Sequence, residues 1–395
     1  MPSILKSKII TIVLILLLGF TSCRRKDLYL RVDTTQITVD ITDIRLNILW
    51  GIDWETQWYY DWDESYGNIG YTRPDLIKGT IYNVHDHKRF SSFIKIFDAN
   101  GGRVSLTAGS AYDMMFYNFG TEWTSFYQSD DYESLTASTR MSSQTSWIRT
   151  RAESESSEMP DTIRRYTNYN QPDELFGTLV TGITVNEDPT LYDKEVDEEG
   201  HVTYIYRINA SLKPYSFIYL YQVVILNNRD QQGSRITGGR GITVTGLAQG
   251  VEMFTRKTFN NTIAITTDDI KPMQNRRLTL DGQERDADVL ATRILTWGLP
   301  GINPLEMTKS GTRAVDLDRN FIGISFSLRN GYGYNVTLDI TEEMHKNPTG
   351  GVITVYVDAG QIPDEIINQK PQSTGGGFNA SVQDWANEVN AEVTI

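Results

Sequence analysis

Cysteine is almost absent from this chain: Cys23 is the only one among 395 residues. An intramolecular disulfide is therefore ruled out, and with it the cystine-stapled small modules, so stability has to come from packing. Histidine is nearly as scarce, at four residues, which leaves little for acid–base or metal chemistry. Basic blocks are missing too, apart from Arg24-Arg25-Lys26, and the net charge is −13. That balance argues against nucleic acid as a partner and suits a solvated, exported surface. The apolar run Ile9 to Leu18 is well short of the roughly 20 residues that span a bilayer with ease.

The first residues nevertheless carry an address. Lys6 and Lys8 form a basic start, Ile9 to Leu18 an apolar core, and Gly19, Phe20, Thr21 and Ser22 lead directly to Cys23. This is the layout of a secretory signal over residues 1–22. Its end resembles a bacterial lipobox, with Phe20 where Leu is commoner, which implies a mature chain beginning at a diacylated Cys23. An ordinary signal peptide cut nearby, leaving an idle thiol, is the alternative. Removing Lys6 and Lys8 with the signal takes the charge from −13 to −15.

What the chain has in quantity is glycine, at 31 residues, and aromatics, at 43. Together with abundant Thr, Val and Ile they favour strands, so the expected class is all-β, with length for two domains. Residues 23–40 read as a polar tether. Beyond it Leu46, Ile48, Trp50, Ile52 and Trp54 share one parity, as a half-buried strand does.

The most aromatic stretch follows, with Trp50, Trp54, Trp58, Trp62 and Tyr66 set among Asp and Glu residues. A spacing of four fits a strand face or a helix stripe. Exposed, rings such as Trp54, Trp58, Trp62 and Tyr66 can stack on sugars; buried, they plug the end of a sandwich. Packing is the preferred reading, because each ring brings about 25 cal/mol per Å² on burial.

Other motifs yield little chemistry. His85-Asp86-His87 reads as a solvated turn, since a metal site needs further converging ligands. Gly238-Gly239-Arg240-Gly241 lacks the Lys-Ser/Thr and helix of a phosphate loop and is expected to turn before Ile242 to Leu247. The Ser- and Glu-rich run around Glu153 to Glu158 reads as a surface connection, and the acidic Asn186 to Gly200 as a linker or extended loop. No nucleophile motif, metal triad or cofactor fingerprint is present, so no catalytic residue, metal or cofactor is assigned.

The clearest strands come late. Phe217 to Leu226 is nearly continuous in apolar residues, as a strand buried on both faces would be. Ile322, Ile324, Phe326 and Leu328 alternate up to Asn330-Gly331, and Val336, Leu338 and Ile340 alternate after it, which predicts a hairpin. Asp339 to Glu343 predicts one helical turn.

Two patterns carry a family resemblance. Ile94 to Trp123, with its Asp98-Ala99-Asn100-Gly101 turn and Ala108-Gly109, resembles the fimbrillin-type lipoproteins of Bacteroidota. So does the later order of Trp297-Gly298-Leu299-Pro300, a hairpin ending in Asp339-Ile340-Thr341, and Gly350-Gly351-Val352-Ile353. The resemblance implies two tandem transthyretin-like sandwiches, placed at 41–190 and 200–362, with 363–395 a glycine-containing tail. It also implies an outer-membrane lipoprotein, surface-exposed or part of a fimbrium, that joins other fimbrial subunits by strand addition.

Val389, Ala391, Val393 and Ile395 alternate to the last residue behind Gly375-Gly376-Gly377. Such a strand can fold back on its own sheet or be donated to a neighbour. In the resembled family, donation follows proteolytic removal of an N-terminal strand, for which Arg31 and Arg45 are candidate cut sites. Anchor and subunit both fit. The competing function is a glycan-binding surface lipoprotein that uses the 50–66 aromatics, with a glycan or host surface as partner.

Overall fold

The computed structural model describes residues 36–46, 58–74, 76–96, 102–143, 167–304, 306, 319–369 and 389–392. The signal, Cys23, Arg31, Trp50, Trp54, the run Glu153 to Glu158, the triple glycine at 375–377, Val393 and Ile395 lie outside the described residues.

The chain is mostly β, as its composition predicts. Its strands begin with β1 (Gln36–Leu46), β2 (Leu76–Asn83), β3 (Arg89–Ile96), β4 (Gly102–Thr107), β5 (Ser110–Asn118), β6 (Thr124–Tyr127) and β7 (Thr136–Thr139). Next come β8 (Asn168–Tyr169), β9 (Phe176–Val185), β10 (Asp193–Val196), β11 (Val202–Pro214), β12 (Phe217–Leu226), β13 (Arg229–Asp230) and β14 (Gly233–Ser234). The rest are β15 (Ile236–Ala248), β16 (Gly250–Glu252), β17 (Thr262–Thr267), β18 (Lys271–Leu280), β19 (Gln283–Thr296), β20 (Phe321–Leu328), β21 (Gly333–Asp339), β22 (Gly351–Asp358) and β23 (Val389–Glu392). Two short helices, α1 (Thr341–Lys346) and α2 (Asp364–Ile367), flank β22. Residues 36–40 of the expected tether already belong to β1, and Arg45 stands within it.

Two compact units emerge. The smaller takes in Ser105–Ser110 and Val185–Tyr206. Within it, β10 pairs with the start of β11 from Asp193↔Ile205 to Val196↔Val202. The acidic run expected as a linker is thus half of a hairpin, closed by a turn in which Asp197 accepts the His201 amide at 2.8 Å.

The larger unit takes in Asp40–Val104, Ala111–Thr184 and Arg207–Ile395. Its most extensive core lies between a six-stranded sheet, ordered β23-β21-β20-β15-β17-β8, and a four-stranded sheet, ordered β18-β19-β12-β22. Alternation dictates the layering: Phe217, Tyr219, Tyr221, Val223 and Ile225 enter the core from β12, opposite Ile322, Ile324, Phe326 and Leu328 of β20. The even positions Ile218, Leu220 and Val224 face the other way, into separate apolar clusters. Burial on both faces explains why β12 reads as a continuous apolar run.

Two local expectations change. Gly238 to Gly241 is no turn; it runs inside β15, which carries register shifts between Ile236/Gly238 and Gly239/Gly241. A Cβ at Gly239 would come within 2.7 Å of the Ile270 side chain, so the glycine permits a close approach rather than a reversal. The predicted hairpin is present, pairing Ile322↔Leu338 and Phe326↔Tyr334. Its connection runs over four residues from Arg329 to Tyr332, with positive φ at Gly331 and not at Asn330, so it is not the two-residue mirror-image turn that Asn-Gly suggests.

Elsewhere in the larger unit β2 pairs with β3 and β5, and β16, β7 and β6 form a three-stranded sheet. Trp297, fully buried, joins Tyr82, Tyr117, Tyr132 and Met253 in a second core.

Candidate functional site

The candidate site is the β21 edge of the six-stranded sheet. On one side β21 pairs antiparallel with β20. On the other, the terminal strand β23 pairs with it in parallel: Tyr334↔Val389, Asn335↔Asn390, Val336↔Ala391 and Thr337↔Glu392. Of the candidate donor residues, Val389 and Ala391 therefore lie on this ladder. The strand folds back on the chain's own sandwich. Its ladder is four residues long, and parallel pairing is slightly weaker per residue than antiparallel. A strand held by so short a parallel ladder belongs to the low-stability end of a fold, where local opening is easiest.

The predicted ring residues occupy a different place. The segment from Trp58 to Tyr71 crosses the outer face of the four-stranded sheet, over Val224, Leu278, Val289 and Ala291 and over Ile218, Leu220 and Val352. Side-chain amides fix it there. Gln222 accepts the Tyr59 amide at 2.9 Å, and Gln274 accepts the Asp61 amide at 2.9 Å while donating to the Asp61 carbonyl at 2.7 Å. Further along, Arg293 donates to the carbonyls of Ile69 and Gly70, and the Tyr71 hydroxyl donates to Ser216 at 2.8 Å. Burial pushes the Tyr60 and Tyr71 hydroxyls above their ordinary range.

Tyr60 is buried, while Trp58, Trp62 and Tyr66 are half-buried. Their rings are tilted, not coplanar: Trp58 and Trp62 are 6.3 Å apart at 46°, and Trp62 and Tyr66 5.7 Å apart at 86°. The Lys271 ammonium lies 5.5 Å from the Trp62 ring and 5.2 Å from that of Tyr66. These rings cover the outer face of a sheet, whereas the sequence pattern placed them over a loop at the sandwich end.

His85 and Asp86 lie in a turn, and His87 pairs with Glu133 at 2.9 Å. Among the described residues, the cluster able to converge on an ion is Asp197, Glu199 and His201, all exposed in the β10–β11 turn. Also among the described residues, no helix is long and apolar enough to cross a membrane.

The molecule is thus a β-rich protein whose larger unit is a two-layer sandwich with a sheet edge closed by the chain's own last strand. Solved structures similar to it include a candidate adhesin from Bacteroides ovatus, 13% identical with a TM-score of 0.43, covering 86% of this chain and 98% of that one. Another, a candidate adhesin from Bacteroides thetaiotaomicron, is 9% identical with a TM-score of 0.39, covering 72% and 84%. The fimbrial anchor protein Mfa2 from Porphyromonas gingivalis is 6% identical with a TM-score of 0.34, covering 81% and 90%. No sequence-family profile and no curated protein matches the chain.

Proposed function

We propose that this chain is a non-enzymatic lipoprotein of the outer membrane, lipidated at Cys23, that serves as a fimbrial subunit or anchor and supports adhesion. It assembles with other subunits by β-strand addition, on a scaffold of two transthyretin-like sandwiches. The observation that carries the reading is the pairing of β23 with β21: a terminal strand held by a four-residue parallel ladder is an element suited to exchange. Two further supports are the short apolar leader ending at the lone cysteine and the strand-and-turn pattern that resembles fimbrillin-type lipoproteins.

Mass spectrometry of the N-terminus of protein recovered from membranes or fibres tests the address. A start at acylated Cys23 identifies an anchor, and a start after Arg31 or Arg45 identifies a polymerising subunit. A chain cut back to residue 385 tests the edge: it should bind a synthetic peptide of residues 386–395, whereas the full chain should bind it weakly. Recovery only as an unlipidated soluble monomer, together with no peptide binding by the shortened chain, would reject the proposal.

A further inference from the structure

Four segments far apart in sequence meet at a cleft of about 470 Å³ that lies away from the β21 edge. They are the turn leading into β6, the stretch from Asn170 to Glu174, the end of β17, and Leu295 of β19. The volume falls in the range of small-molecule sites, roughly 300–1,000 Å³.

At its rim stands Trp123, 42% exposed. A tryptophan left in water forgoes a large burial gain, and this one is held there by its backbone. The Asp173 carboxylate accepts three consecutive amides, from Glu122 at 3.0 Å, Trp123 at 2.9 Å and Thr124 at 2.7 Å. In return the Asp173 amide donates to the Thr124 hydroxyl at 3.0 Å. The Trp123 carbonyl accepts the Arg140 amide at 3.1 Å, which ties the turn to the residue just after β7.

The polar groups around the ring are equally fixed. Gln171 accepts the Leu295 amide at 3.0 Å through Oε1, which orients its Nε2 group. The Asn170 side chain is set by the carbonyls of Arg140 and Met141, at 3.4 and 3.2 Å. Glu122 is exposed at the rim. The lining therefore combines one exposed indole with a carboxylate and planar amides, which accept and donate hydrogen bonds in fixed directions. Among the described residues it includes Glu122, Asp173 and Glu174 and no Lys, Arg or His, and Glu174 is already paired with Arg293. The carboxylates of Glu122 and Asp173 repel sulfated, phosphorylated or sialylated ligands.

We propose that this cleft is a binding subsite for a neutral saccharide. Trp123 stacks on the apolar face of a pyranose ring, and Glu122, Gln171 and Asn170 bond its hydroxyls. Hydroxyl-rich neutral ligands match such a lining because both donors and acceptors are needed beside one flat apolar surface. The inference goes beyond strand assembly and does not depend on it.

Calorimetric titration of the detergent-solubilised mature chain with maltoheptaose, cellohexaose, mannohexaose and laminarihexaose tests it, with 6′-sialyllactose as the charged comparison. At least one neutral probe should bind saturably and the sialylated one should not. Trp123→Ala should weaken binding about tenfold or more, and Gln171→Ala by a smaller factor. Tyr127→Ala, at an exposed ring on β6 outside the cleft, should leave it unchanged. With more than half of its ring covered, Trp123→Ala should lower Tm modestly while the melt stays cooperative, and a chain cut back to residue 385 should still bind. Absence of saturable binding by all four neutral probes, a preference for 6′-sialyllactose, or binding that survives Trp123→Ala but falls with Trp62→Ala would overturn the proposal.

Discussion

Arg293 and Glu174 meet at 2.5 Å with side chains only 17% and 20% exposed, and each also holds the segment that crosses the outer sheet face. Arg293 donates to the carbonyls of Ile69 and Gly70, and Glu174 accepts the Thr72 amide at 2.6 Å. Removing either partner leaves the other charge half-buried and strands backbone groups that it had satisfied. Arg293→Ala should therefore lower stability by about 2–4 kcal/mol. Urea unfolding followed by tryptophan emission measures this, and an unchanged midpoint would show that the segment is held by its apolar contacts alone.

Two glycines with similar backbone angles should respond very differently to alanine. Gly331 has φ 85° and open space where a Cβ would stand, so Gly331→Ala should cost about 1–2 kcal/mol, the penalty of a left-handed residue. Gly350 has φ 89°, but its Cβ would come 2.2 Å from the Ile218 carbonyl oxygen at the start of β12. Gly350→Ala adds a backbone clash where β22 enters its parallel pairing with β12 and should cost clearly more than Gly331→Ala. Paired thermal melts decide the order.

His345, on α1, should make the fold acid-sensitive. Burial holds its imidazole below the ordinary value near 6.5, with Asp339 opposing the shift, and Nε2 has no hydrogen-bond partner among the described residues. With the folded value depressed, the unfolded chain binds more protons in the window between the two values. The contribution of neutral His345 is thus complete above about pH 6.5 and is lost as pH falls through the folded value. Replacing it with Gln should flatten the change in urea midpoint between about pH 7.5 and pH 5.5 relative to the parent. Parallel curves for the two proteins would remove His345 as a cause.

Hydrogen exchange at β21 should report on its terminal partner. Cutting the chain back to residue 385 removes the strand opposite Tyr334 to Thr337. The β21 amides that point toward β23 should then exchange faster, while those bonded to β20 keep their protection. Equal protection in the two proteins would show that β23 contributes nothing to the edge in solution.

Much of the fold could be read from local pattern because alternation is a direct record of burial. The β20–β21 pair, the two-sided burial of β12 and the helical turn after Asp339 all follow from residue order. Contacts between distant segments have no such record. Nothing near Gly238 to Gly241 announces that Ile270 will pack against Gly239, so a cluster that usually signals a turn proved to be strand. The ring-rich stretch around Trp58 showed that it would pack, but not that its partner would be the outer face of β12, β18 and β19. The cleft at Trp123 has no local record for the same reason: Glu122, Gln171 and Thr267 become neighbours only when the chain is folded. An unusual aromatic in a polar turn was its sole local sign.

The strand β23 and the β21 edge that takes it are different parts of the chain, so the surface that gives is not the surface that receives. A second copy supplying its last strand to this edge would make a head-to-tail contact, which leaves one edge unfilled at one end of the pair and one free strand at the other. Reciprocal exchange would instead close two copies into a swapped twofold dimer; only one-way donation, each copy giving to one neighbour and receiving from another, forms a ring or an open row with distinct ends.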